Sequence, residues 1–125
     1  MILDTNALSA FVDGAPQVGA AVRAARELVV PVIVLGEYRY GITHSVRRPA
    51  YEAWLDRYLS DFRVLEITED TALEYAALRS ELKGAGKPIP ANDAWIAALC
   101  REHNLPLLSR DQHFDRVQGL RRLTW

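Results

Sequence analysis

The sequence predicts an α/β fold in three layers, with a parallel, five-stranded sheet at the centre and helices on both faces. Short apolar runs, which read as buried strands, alternate with longer stretches of helical spacing from one end to the other. Length and composition agree with this. The chain has 125 residues, 50% hydrophobic and 25% charged, which suits one globular domain over residues 1–125 with a substantial core.

Met1-Ile2-Leu3 reads as the first strand. Asp4, Thr5 and Asn6 are all N-cap types, and they precede a short helix over Ala7–Val12 that Gly14 closes. Pro16 opens an Ala-rich helix over Gln17–Arg26, and Leu28–Val30 reads as the second strand. Pro31 suits the first position of a helix running to Thr43. Pro49 opens another, with Tyr51, Trp54, Leu55, Tyr58 and Leu59 at helical spacing. Phe62–Ile67 is expected as the third strand. Thr68 caps a long helix whose apolar positions include Ala72, Leu73, Tyr75, Ala76, Leu78 and Leu82. Gly84, Gly86, Pro88 and Pro90 make a loop. A helix over Ala91–His103, a strand over Pro106–Ser109, a turn over Asp111–Arg116 and a fifth strand over Leu120–Trp125 complete the chain.

Several classes are excluded or disfavoured. Disorder needs lower hydrophobicity. The longest apolar stretch, Leu28–Leu35, is interrupted by Pro31 and falls far short of the roughly 18 residues of a membrane span. The first cation is Arg23, so no secretory signal is expected and the cytoplasm is the expected compartment. A single cysteine, Cys100, rules out an internal disulfide and a multi-cysteine metal site. Of 15 basic residues, 13 are Arg, the better residue for planar recognition of phosphate. Net charge is −1. With four of the 16 acids set aside in one pocket, twelve face 15 cations, a remainder of +3 that suits a phosphate polymer beside a divalent ion.

Four carboxylates stand where carboxylates are costly. Asp4 follows the first strand directly, at its carboxyl end, where an N-cap is the plainer explanation. Glu37 shares a helix face with Ile33, Val34 and Gly41. An acid on that stripe needs a metal or a buried partner such as Arg39 or Arg79. Asp93 points along the stripe of Ile96, Ala97 and Cys100, although an Asp in a first turn also favours the helix dipole. Asp111 comes two residues after the fourth strand, where Ser109 and Gln112 match a capping box. Asp115, four residues on, reads as a surface acid, and His113 as a local cap or packing residue. In parallel sheets ligands bind beyond the strands' carboxyl ends where the strand order reverses. If strands one and four meet there, Asp4 and Asp111 meet too. Two unit charges at 4 Å repel by about 4 kcal/mol at an effective dielectric of 20, so the cluster calls for a cation. Oxygen donors of this kind suit Mg²⁺ or Mn²⁺.

The same residues resemble the PIN domain family, and within it the VapC-type toxins of toxin–antitoxin pairs. Met1-Ile2-Leu3-Asp4-Thr5-Asn6, Glu37 with Gly41, Pro88-Ile89-Pro90-Ala91-Asn92-Asp93-Ala94-Trp95, and Leu107-Leu108-Ser109-Arg110-Asp111-Gln112-His113-Phe114 resemble the family's four motifs, in order. Ser109 stands where many relatives have Thr, and Tyr38 where Leu is common. The resemblance implies a PIN-like fold and an endoribonuclease, a hydrolase in which a metal-activated water attacks an RNA phosphodiester. It implies Asp4 and Asp93 as principal Mg²⁺ ligands, Glu37 and Asp111 completing the set, and Thr5, Ser109 and Arg110 toward the substrate. A VapB-type antitoxin and a homodimer are the implied partners, with Tyr38, Tyr40, Tyr51, Trp54 and Tyr58 as interface candidates. Two other readings compete: a PIN-like module that binds without cutting, and a phosphoacceptor receiver domain. The receiver needs an Asp ending strand three and a Lys after strand five, and this chain has neither.

Overall fold

The computed structural model describes residues 1–125. Its elements are β1 (Ile2–Leu3), α1 (Thr5–Val12), α2 (Pro16–Ala24), β2 (Val29–Pro31), α3 (Val32–Ile42), α4 (Arg48–Tyr58), β3 (Arg63–Leu65), α5 (Glu69–Gly84), α6 (Ala91–His103), β4 (Leu107–Leu108) and β5 (Arg122–Leu123). The strands form one parallel sheet in the order β3-β2-β1-β4-β5. The chain builds outward from β1 to β3, then returns to lay β4 on the other side of β1. The order therefore reverses between β1 and β4, and the crevice for chemistry opens above those two strands. A receiver-type sheet runs 2-1-3-4-5, so the topology does not support that reading.

The central strands carry the core. Ile2, Leu3, Leu107 and Leu108 are fully buried, and the helices close over them with Leu8, Val18, Val34, Leu55, Leu78, Ile96 and Leu99. Cys100 is buried in the same core. Ile2 faces Leu107 and Leu3 faces Leu108, so Asp4 and Ser109 leave the sheet side by side. No helix is long and apolar enough to cross a membrane.

Three expectations need correction. Pro31 does not open α3; it ends β2 opposite Leu65, with φ −62° and ψ 146°, and caps the helix that starts at Val32. The proline ring sets φ, which helix and strand share; ψ is decided by the pairing with β3, which local sequence does not encode. Three strands are shorter than expected: Arg63–Leu65 rather than Phe62–Ile67, Leu107–Leu108 rather than Pro106–Ser109, and Arg122–Leu123 rather than Leu120–Trp125. The first and last of these lie at sheet edges, where only one neighbour extends the ladder. Leu73 is 72% exposed, because α5 turns Thr71, Leu78 and Leu82 inward instead. Thr68 caps α5 as expected, through a reciprocal box with Thr71.

Candidate active site

Asp4 ends β1 because its extended backbone (φ −75°, ψ 167°) turns the chain directly into α1. Its amide donates to Leu108 O at 3.1 Å, the last rung between β1 and β4. Its carboxylate Oδ1 accepts from the Thr5 amide at 2.8 Å, so the N-cap reading is correct. The same carboxylate is nevertheless a buried group at the crevice floor, only 5% exposed. Oδ2 accepts from Ser109 Oγ at 2.6 Å and from Asn6 Nδ2 at 3.1 Å. Burial raises the Asp4 carboxyl above its usual range. The Ser109 and Thr5 hydrogen bonds oppose that rise, and the charge of Asp111 adds to it.

Ser109 does not form the expected capping box with Gln112. Its hydroxyl donates to Asp4 and accepts from the Asp111 amide at 3.0 Å, so one buried oxygen joins β1 to the loop after β4. Asp111 is the cap here: its Oδ1 accepts from the His113 amide at 2.8 Å and starts a 3-10 turn over Gln112–Arg116. Asn6 completes the lattice, donating to Asp4 and accepting from the Arg110 amide at 3.2 Å. Sequence reasoning treats Asn6 only as a cap type. Its position two residues past Asp4 is the signal for more, since α1 turns its amide back over the carboxylate.

We expect Ser109→Ala to cost about 2–3 kcal/mol, because it strips a charge-assisted hydrogen bond from a buried carboxylate. Ser109→Thr keeps the hydroxyl and should cost under about 1 kcal/mol. Urea unfolding of both, without metal, measures the difference; equal stability of Ser109→Ala and the unaltered chain refutes the linking role.

Asp93 enters from the first turn of α6 with its side chain 18% exposed. Its carboxyl is pushed up to about 6, first by burial, then by the charges of Asp111 and Asp4, with His113 opposing. Glu37 enters from the middle of α3, beside a cavity of about 260 Å³ that it lines with Thr5 and Gly41. Burial raises its carboxyl; the Thr5 hydroxyl opposes and Asp4 adds. Neither Arg39 nor Arg79 pairs with it; the Arg79 guanidinium donates to Tyr75 Oη at 2.7 Å. Asp93 and Asp111 come together with His113, Asp4 lies close enough to feel Asp111 and to act on Asp93, and Glu37 feels Asp4 alone; Asp4, Glu37 and Asp93 carry raised carboxyls.

Three other residues fall differently from expectation or beside it. The Arg110 guanidinium lies 4.7 Å from the Trp125 ring centroid. Asp115 is held by Arg122 through two 2.8 Å contacts, which keep its carboxyl below the usual range and turn it away from the cluster's chemistry. His113 is closer to the site than the sequence suggests: Nδ1 lies 3.1 Å from Asp111 Oδ1 and 3.5 Å from Asp93 Oδ2.

The donor set fits a hard divalent cation. Thr5 Oγ1, Glu37 Oε1 and His113 Nδ1 are buried polar atoms with no hydrogen-bond partner. Such atoms cost about 1–3 kcal/mol each unless something else satisfies them. They cluster around mutually repelling carboxylates, and a cation between them relieves both penalties.

A family model described as "PIN domain" matches residues 1–120. The chain belongs to the PIN domain family. Ribonuclease VapC5 of Mycobacterium tuberculosis is 30% identical to this PIN domain, over 94% of this chain and 87% of the relative. The solved structure of VapBC2 from Rickettsia felis bound to a promoter DNA fragment superposes with a TM-score of 0.89 over 99% of this chain and 97% of that one; at 24% identity it speaks for the fold. A member of the VapBC family of toxin–antitoxin systems, VapBC-5 from M. tuberculosis, matches with a TM-score of 0.74 at 26% identity, over 98% of this chain and 94% of that one. The order in which this PIN domain lays its strands, with the reversal between β1 and β4, is what brings Asp4 and Asp111 to one crevice.

Proposed function

We propose that this PIN domain is a VapC-type endoribonuclease, the toxin of a toxin–antitoxin pair, acting in the cytoplasm on RNA with Mg²⁺ or Mn²⁺. The observation that supports the reading is the acidic crevice in which Asp93 and Asp111 stand together, with Asp4 beside them and Glu37 next to Asp4, a buried Glu37 oxygen being left unpartnered. The relative named ribonuclease VapC5 supports the activity, and the VapBC structures support a VapB-type antitoxin as partner. A homodimer and one PIN domain spanning residues 1–125 belong to the same proposal.

Asp4, Asp93, Glu37 and Asp111 would hold the ion. When bound, such an ion would supply charge neutralisation at the phosphoryl group and a water acidic enough to act as nucleophile near neutral pH. The protein's own part is positioning. Ser109 and Asn6 lock the Asp4 carboxylate in one orientation, so its position is set before substrate arrives. Glu37, beside the Thr5 hydroxyl, can accept a proton from water next to the scissile phosphate. The Thr5 hydroxyl can turn from Glu37 to donate to a phosphate oxygen. Arg110 stands exposed next to this floor, where the RNA backbone would pass.

The test is cleavage of structured RNA by the purified full chain. We expect cleavage with Mg²⁺ or Mn²⁺, none with EDTA, and none from Asp4→Ala that retains its circular dichroism spectrum. RNA binding without cleavage across metals and substrates refutes the nuclease and leaves a binding module.

A further inference from the structure

The ring nitrogen of His113 has no part in the cleavage scheme, yet it stands inside the acidic cluster. One ligand atom each from Asp93, Asp111 and His113 lie within 4.8 Å of one another. Around an octahedral ion with bonds of about 2.1 Å, neighbouring ligands stand about 3 Å apart and opposite ones about 4.2 Å. Nδ1 sits 3.1 Å from Asp111 and 3.5 Å from Asp93, so small rotations of the side chains close all three on one ion.

Nδ1 is buried, although the ring as a whole is 42% exposed, and it faces both carboxylates without an aligned hydrogen bond. An imidazole N–H meant for a carboxylate at this distance would point along the line joining them. The in-plane direction of Nδ1, shared by its proton and its lone pair, falls off that line, as it does when a ring nitrogen turns toward an ion held between it and the carboxylates. The placement is also built into the chain. Asp111 Oδ1 accepts the His113 amide, and the next residue, Phe114, is fully buried and pins the turn.

We propose that His113 ligates the cation of this crevice directly through Nδ1, and that this nitrogen biases the site from Mg²⁺ toward transition-metal ions such as Mn²⁺. The proposal rests on the metal-dependent reading of the site. Its chemical basis is that carboxylates suit Mg²⁺ and Mn²⁺ alike, whereas imidazole favours transition metals.

Pulsed electron paramagnetic resonance of the metal-free full chain loaded with Mn²⁺ tests this. The expected spectrum shows ¹⁴N modulation, which His113→Ala and His113→Gln both abolish. Titration should show the Mn²⁺ dissociation constant rising about tenfold in each variant, and the Mg²⁺ constant changing less than about threefold. Mn²⁺ bound without nitrogen modulation, with affinities unchanged by the substitutions, overturns the His113 assignment and leaves the nuclease reading standing. A chain that binds no Mn²⁺ overturns both. If His113→Ala does not fold, the spectrum of the unaltered chain and the His113→Gln variant decide the matter.

Discussion

Asp93→Asn is expected to raise the melting temperature of the metal-free protein at pH 7.5 by about 5–8 °C while reducing RNA cleavage at least about 100-fold. The carboxyl titrates at about 6 in the fold, against 3.8 for the free group. An acid whose folded value is raised stabilises the fold only while protonated. That contribution is complete below about pH 4 and is lost as pH rises through 6. Near neutral pH the buried charge therefore costs about 2 kcal/mol, once its favourable place in the first turn of α6 is counted. Asn keeps the shape and removes the charge. The gain should shrink as pH falls and vanish near pH 4. Saturating Mn²⁺ should invert the order, because the ion stabilises the unaltered chain and not the variant. Melting curves with EDTA and with Mn²⁺, at several pH values, measure all of this. A lower metal-free melting temperature for Asp93→Asn at pH 7.5 contradicts the crowding of acids and makes Asp93 a structural residue.

Phe114→Ala is expected to destabilise the fold by about 3–5 kcal/mol. Phe114 is among the largest fully buried side chains and lies in the turn that presents Asp111 and His113. A domain of this size holds only about 5–15 kcal/mol in total, so the loss should move the urea midpoint by a large fraction. Phe114→Leu, which leaves a smaller void, should cost about 1–2 kcal/mol. Because the turn would loosen before the sheet, Phe114→Leu should also weaken metal binding while keeping the same secondary structure. A cost under about 1 kcal/mol for Phe114→Ala would show that the turn is not anchored by this ring.

The parts of the fold written in short stretches of chain are legible in the sequence. The helix over Ala91–His103 is found with those bounds, because Pro90 and Asn104 punctuate it and its apolar stripe is unbroken between them. Asn104 closes it in the left-handed conformation, φ 51°. The strand ends at Asp4 and near Ser109 are equally local, so two positions of the site can be read from the order of residues alone. What depends on distant pairing cannot. Pro31 is decided by β3, more than 30 residues away in sequence. Ser109 reads as a cap until Asp4, 105 residues distant, accepts its hydroxyl proton. His113 reads as a local residue until α6 brings Asp93 against it. Glu37 remains evenly poised between metal and ion pair until the packing leaves it with neither Arg39 nor Arg79.

Everything proposed for this site requires Asp4, Asp93 and Asp111 to share one ion in the crevice between β1 and β4, with Glu37 reaching it directly or through water. Anomalous diffraction from crystals of the chain grown with Mn²⁺ reads this directly. One strong peak bounded by the Asp4, Asp93 and Asp111 carboxylates is the expected result. Manganese bound only elsewhere on the surface, in crystals of a protein that still cuts RNA with that ion, would refute the shared site.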